Sequence, residues 1–293
     1  MNVRHVMIIL WVLSFSTACT SISSQEAEMS KLRPINSKSD IVKELYEIKN
    51  DIEQTHQVKV HFNKFCRTYW GRYKLTANNN ELLAYMKMMQ AEMKKYPPGY
   101  FVKSRASNMC LGENLSVNRI TVAAMPAPEN NILLYSVARE VSGKRKPYKL
   151  GYLTNTFHHE LFHNTDYAIW GMHYYKWNKW HTLNTPGFKY AGKGTMAYTN
   201  KAAMREMKLL KGFMNKYSQT GMEEDRAEIM EAIMLYPQRE LILRKCQRDE
   251  IIVKKVNLTA DIVNTRILND GSWPHLDKVV SLCNQPGKMT LRP

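Results

Sequence analysis

No two cysteines stand at C-x-x-C spacing, no segment of the chain repeats, and no apolar run reaches the about 20 residues that a membrane-spanning helix needs. A cysteine-rich zinc knuckle, a repeat architecture and a multi-span membrane fold are thereby excluded. Glycine and proline are modest at 13 and 11 of 293 residues, and apolar and charged residues make up 44% and 23%. Those values exclude collagen-like and wholly disordered chains. Acidic residues are also scarce, 26 against 42 lysines and arginines, for a formal net charge of +16. Such an excess favours anionic surroundings: nucleic acid, lipid headgroups, cell-wall polymers or acidic proteins. It names no activity, and no motif calls for a specific nucleic acid.

The longest apolar run lies at the N-terminus, at 6–15, after Arg4 and His5 and before Ser16-Thr17-Ala18. This is the order of an export signal, predicted over 1–18. Ser16-Thr17-Ala18-Cys19 resembles a bacterial lipobox, with serine at 16 where leucine is usual. That resemblance implies lipidation at Cys19 and anchoring to the cell envelope. Residues 19–40 are rich in serine and charge and read as a tether. Cys66, Cys110, Cys246 and Cys283 remain, an even number that in an exported protein favours two disulfides among three possible connectivities. Pairing 66 with 110 and 246 with 283 closes the shortest loops.

The remaining chain, 41–293, is read as one α+β domain. Helical periodicity covers 40–54 and 81–96, where Leu82, Met86, Met89, Met93 and Tyr96 form one stripe. Strand-like runs are expected at 58–65, 100–103, 119–124 and 131–137. A helix is expected over 153–170, capped by Thr154 or Asn155 and stopped by Gly171. An aromatic loop follows at 171–200, then helix to about 268 with a break at Pro237. The expected order is a small mixed sheet, a central helix and a mostly helical C-terminal part, with a helical extension from about 237.

The central helix carries His159-Glu160-Leu161-Phe162-His163. Histidines four apart lie one turn apart on one face, so both imidazoles can reach one tetrahedral Zn²⁺. Glu160, a step round the helix, stands where a carboxylate can take a proton from water activated by the metal. His158 faces away from the pair and is read as structural. A third ligand must come from elsewhere. Histidine at 169 after glycine at 166 would extend the motif, but Asp166 and Ile169 occupy those positions. An aspartate after Gly194-Thr195 is also missing. Glu224 and Glu228, one turn apart in Glu223-Glu224-Asp225-Arg226-Ala227-Glu228, offer a carboxylate on a second helix.

Gly212-Phe213-Met214-Asn215-Lys216-Tyr217, followed by Glu224-Asp225-Arg226-Ala227-Glu228, resembles the GFxxxY…EDxAE signature of zinc-binding metallopeptidase lipoproteins of the gluzincin group. The spacing of seven from Tyr217 to Glu224 is also similar to that in anthrax lethal factor and the Pro-Pro endopeptidases. Those proteins place an aspartate three residues after the second histidine, as Asp166 stands here. The resemblance covers roughly residues 80–235. It implies a zincin-like fold, one Zn²⁺ on His159, His163 and Glu224, and Tyr217 as the catalytic tyrosine. Asp166, Asp225 and Glu228 are then expected to orient the ligand histidines or Tyr217.

The function so implied is an exported zinc metallopeptidase acting on a peptide or protein substrate, with Glu160 as general base. One strand before the active helix, at 131–137, is expected to be an edge that pairs with extended substrate. Two other readings remain open: a basic, surface-anchored binding protein with a structural or vestigial zinc site, and a zinc amidase acting on cell-wall peptides.

Overall fold

The computed structural model describes residues 39–68, 71–76, 78–176, 178–192, 194 and 196–285. The expected signal peptide, Cys19 and the tether up to residue 38 lie outside the described residues. Ser39 and Asp40, assigned to the tether, already begin a helix. The fold is mixed α+β, a small mixed sheet followed by helices. Among the described residues, no helix is long and apolar enough to cross a membrane.

In chain order the first half holds α1 (Ser39–His56), β1 (Lys59–His61), β2 (Gly71–Lys74), α2 (Asn79–Met93) and α3 (Tyr100–Lys103). Then come β3 (Asn108–Val117), β4 (Ile120–Thr121), β5 (Ala124–Ala127), β6 (Ile132–Ser136) and the hairpin β7 (Ala138–Val141) and β8 (Lys144–Pro147). The second half is helical: α4 (Leu150–Trp170), α5 (Asn178–His181), α6 (Met196–Thr199), α7 (Lys201–Glu206), α8 (Met222–Met234), α9 (Gln238–Cys246), α10 (Glu250–Arg266) and α11 (Pro274–Cys283).

The main sheet runs β1-β3-β6-β5, parallel across the first three and antiparallel at β5. Side chains alternate between its faces. Tyr135 points to the helices, meeting Tyr85 of α2 and Phe157 of α4 at ring separations of 5.6 and 5.8 Å. Met86, Met89 and Met93 are buried there as core filler. Cys110, Leu115, Met125, Ile132 and Leu134 form the core of the other face, covered by Cys66 and Tyr73. A Cys66–Cys110 disulfide ties that cover to β3, and a Cys246–Cys283 disulfide joins α9 to α11.

Several local expectations are corrected. The 100–103 run is helical, because Gly99 at φ 75° lets the chain turn on directly from Pro97, and Ser104 N–H closes onto Tyr100 O at 2.8 Å. Conversely, ten-residue β3 was hidden by its Asn and Gly residues. Gly112 is needed there, since a Cβ would lie 2.3 Å from the Tyr73 ring, and Asn114 adopts φ 58°. The helix α4 starts a turn early, at Leu150. Thr154 therefore sits inside it and donates to Leu150 O, and Asn155 reaches Glu231 at 3.0 Å. Finally, the strand at 131–137 is internal: β6 lies between β3 and β5, so the edge is β5.

Gly171 at φ 66° ends α4 and Pro237 parts α8 from α9, as expected. Between Met207 and Gly221 the chain is not α-helical, contrary to expectation. It holds a short 3₁₀ turn, Tyr217–Gln219, and Gly212 at φ 86°.

Candidate metal centre

Helices α4 and α8 pack against each other and bring the candidate ligands together. His159 and His163 lie on one face of α4, and Glu224 in the first turn of α8 faces them. All three are buried. Glu224 Oε2 lies 3.0 Å from His159 Nε2 and 3.4 Å from His163 Nε2, and the two Nε2 atoms are 3.2 Å apart. A tetrahedral ion with bonds of about 2.0–2.1 Å separates its ligand atoms by about 3.3–3.4 Å. The group can therefore hold a metal ion. Three electron-rich atoms this close need a proton or a cation between them.

The titration of the group points the same way. Burial works against a charged His159, but its hydrogen bonds to Glu224, Glu228 and Glu231 outweigh it and raise its pKa well above the ordinary histidine range. Burial also opposes the Glu224 charge, yet His163 and His159 hold that carboxyl well below the usual carboxylate range. Glu160 differs: burial pushes its carboxyl up, and the nearby histidines pull it back only in part. A raised carboxylate pKa suits a group that must take a proton and give it up again.

The other face of His159 is held by two acids. Its Nδ1 lies 3.4 Å from Glu228 Oε1 and 3.6 Å from Glu231 Oε2. Glu228 thus stands where it can orient a ligand histidine, and it also accepts from Asn215 Nδ2. Glu231 was not foreseen, though 224, 228 and 231 recur on one helical face, which was the available signal. His163 Nδ1 is buried with no hydrogen-bond partner among the described residues.

Two assigned residues serve elsewhere. Asp166 binds the buried Arg226 at 2.7 Å instead of a histidine, because that guanidinium projects from the next turn of α8. Asp225 turns from the histidines to Lys255, Trp180 and Tyr190, at 2.6, 2.8 and 2.7 Å. His158 is structural, held by Tyr96 at 2.6 Å and Glu92 at 2.7 Å. In the aromatic segment, His181 packs near Tyr190, with ring centroids 5.8 Å apart.

Tyr217, at the start of its 3₁₀ turn, is tilted against the His159 ring with centroids 5.8 Å apart. Gly194 brings the backbone over the same place. A Cβ there would lie 1.7 Å from Glu224 Oε1 and 2.8 Å from Tyr217 Oη, so these two oxygens border one small space. Comparisons with protein-family models, curated proteins and solved structures return no match.

Proposed function

We propose that the protein is a zinc metallopeptidase. The observation that carries this reading is the convergence of His159, His163 and Glu224, with Glu160 beside them on α4. Closed structural zinc sites have four protein ligands, whereas this group has three, and three is the number that catalytic sites use. When bound, Zn²⁺ would polarise a substrate carbonyl and acidify a water molecule.

The protein's own groups supply the rest. Glu160 accepts a proton as water adds to the scissile carbonyl carbon. It then delivers that proton to the amine nitrogen as the C–N bond breaks. The Tyr217 hydroxyl donates to the oxygen that becomes negative. Glu228 and Glu231 fix the His159 ring through Nδ1, which leaves Nε2 as the ligating nitrogen. The edge strand β5, packed against α4, is the strand available to an extended substrate.

The site resembles that of the gluzincin lipoproteins named above, and the proposed setting is the cell envelope, with a lipid on Cys19. The β7–β8 hairpin exposes Arg139, Lys144 and Lys146, a basic surface suited to anionic envelope polymers or headgroups. The test is metal analysis of the purified protein, followed by peptide-library cleavage with and without chelator. One zinc per chain and chelator-sensitive cleavage that Glu160→Gln abolishes are expected. A zinc-loaded protein that cleaves nothing would overturn the reading in favour of a structural site.

A further inference from the structure

The hairpin β7–β8 sorts its charges by face. Its register sets Arg139 opposite Lys146, Glu140 opposite Arg145 and Val141 opposite Lys144. Directly opposed side chains share a face and successive ones alternate. Glu140 and Arg145 therefore stand on one side, and Arg139, Lys144 and Lys146 on the other. The first side is tied to the body of the protein: Arg145 meets Glu81 at 2.6 Å and Glu113 at 2.8 Å, and Lys74 lies 3.9 Å from Glu140. The second side carries three exposed cations, none of which has an acidic partner among the described residues. Ser142 at φ 51° and Gly143 at φ 73° make the turn the tight two-residue form, so this face is held in shape.

The surface continues onto the start of α4. Lys149 precedes the helix, and Leu150 and Tyr152 lie in its first turn, 43% and 50% exposed. The Tyr152 ring stacks on Tyr148 with centroids 5.7 Å apart, and the Arg139 guanidinium lies 5.2 Å from the centre of the Tyr148 ring. These contacts join hairpin and helix into one surface. No acidic residue occurs between Glu140 and Glu160. Four unpaired cations therefore surround an exposed leucine and an exposed tyrosine.

We propose that this surface docks on an anionic lipid bilayer. Arg139, Lys144, Lys146 and Lys149 meet the headgroups, and Leu150 and Tyr152 enter the boundary between headgroups and acyl chains. Cations are drawn to the negative potential of such a bilayer, and tyrosine, apolar in body and polar at its tip, settles at that depth. The leucine decides between headgroups and envelope polymers. A hydrated polyanion engages the cations but offers Leu150 no apolar medium, whereas a bilayer offers both. The contact is additional to any lipid on Cys19 and rests on neither that lipid nor the metal centre. His159 follows Tyr152 by about 10 Å along the same helix, so docking fixes the height of the metal centre above the membrane.

The experiment uses the full chain carrying Cys19→Ser, which excludes acylation there. Its partition is measured into phosphatidylcholine vesicles and into vesicles with roughly 30% phosphatidylglycerol. Partition coefficients come from lipid titrations, and comparison of variants with the parent cancels any contribution from the apolar run at 6–15. The anionic vesicles should bind at least about tenfold better, with the excess falling steeply as salt rises. Lys144→Gln and Lys146→Gln should each lose about fivefold on the anionic vesicles. Leu150→Ser should lose severalfold on the same vesicles, with circular dichroism unchanged because all three positions are exposed. Equal partition into the two vesicles overturns the proposal, as do lysine variants that bind like the parent. Losses with the lysine variants but none with Leu150→Ser also overturn it and give the surface to a soluble polyanion. No substrate enters the measurement. Failure here leaves the peptidase reading standing, and a protein that docks but cleaves nothing leaves this proposal standing.

Discussion

The Lys255 ammonium on α10 meets the Asp225 carboxylate on α8 at 2.6 Å, and neither side chain has any exposure. The same carboxylate oxygen accepts from Trp180 Nε1 and Tyr190 Oη, and Lys255 also donates to Gly212 O at 2.5 Å. One buried acid thus ties the first turn of α8 to three other segments. Glu224, the third candidate ligand, is the preceding residue.

Lys255→Met should therefore destabilise strongly. It leaves Asp225 charged or neutral without its cation, and breaking one side of a buried pair costs about 3–5 kcal/mol. Urea unfolding measures the loss. Adding Asp225→Asn to Lys255→Met should recover part of it, because the uncompensated acid is then gone. Equal stability of the single and double variants would show that the ion pair is not the source.

Glu160→Gln should lower kcat by about 10²- to 10⁴-fold, the usual contribution of a general base, while zinc content stays that of the wild type. The amide keeps the size and burial of the side chain and removes only its capacity to take a proton. Loss of metal alongside activity would instead make Glu160 part of the binding group.

Glu231→Gln and Glu228→Gln should each weaken zinc binding by about 10- to 100-fold, read by competition with a chromogenic chelator. Both acids lie within 3.6 Å of His159 Nδ1 and strengthen the basicity of the ligating nitrogen. Unchanged affinity in both variants would remove them from the metal centre.

How far these residues could be read from the sequence depended on how local their relationships are. His159 and His163 share one helical face with Glu160 a step round from it, and Glu224 and Glu228 share another, so the periodicity of a helix was enough to find them. The carboxylate–imidazole contact joins residues 65 apart in the chain, and only the packing of α4 on α8 creates it. Asp166 and Asp225 sat at plausible spacings, but buried cations from other turns and helices claimed them. In the sheet, β3 was obscured by Gly112 and Asn114, whose conformations answer to neighbouring strands. The edge was assigned to β6 because alternation marks a strand without saying which side is paired.

Gly194→Ala tests whether the segment over the site is as close as it stands. The added methyl would lie 1.7 Å from Glu224 Oε1, so that carboxylate must move away from the histidines. Zinc affinity should fall at least about tenfold, a displaced ligand costing no less than a lost supporting contact. Circular dichroism of the metal-free protein should stay unchanged. A variant with wild-type zinc affinity would mean that the segment gives way and the ligand does not.

Acid lability offers a test away from the metal. His275 Nε2 lies 2.7 Å from Arg239 Nη2, a donor that a neutral ring can accept from, and 3.3 Å from Ile233 O. Burial first, and then the Arg239 charge, push the His275 pKa down from 6.5 to about 4; the Ile233 carbonyl opposes the shift, and Lys95 and His158 add to it. Above pH about 6.5 the ring is neutral in folded and unfolded chains alike and contributes no pH dependence. Between 6.5 and about 4 the unfolded chain binds a proton that the folded one refuses, so stability falls as pH falls. Below about 4 both states are protonated and the loss stops growing. In metal-free protein, the urea midpoint should therefore drop more between pH 7 and pH 4.5 for the wild type than for His275→Gln. The glutamine side chain can still accept from Arg239 and cannot take the proton. Equal drops in the two proteins would move the acid sensitivity to another group.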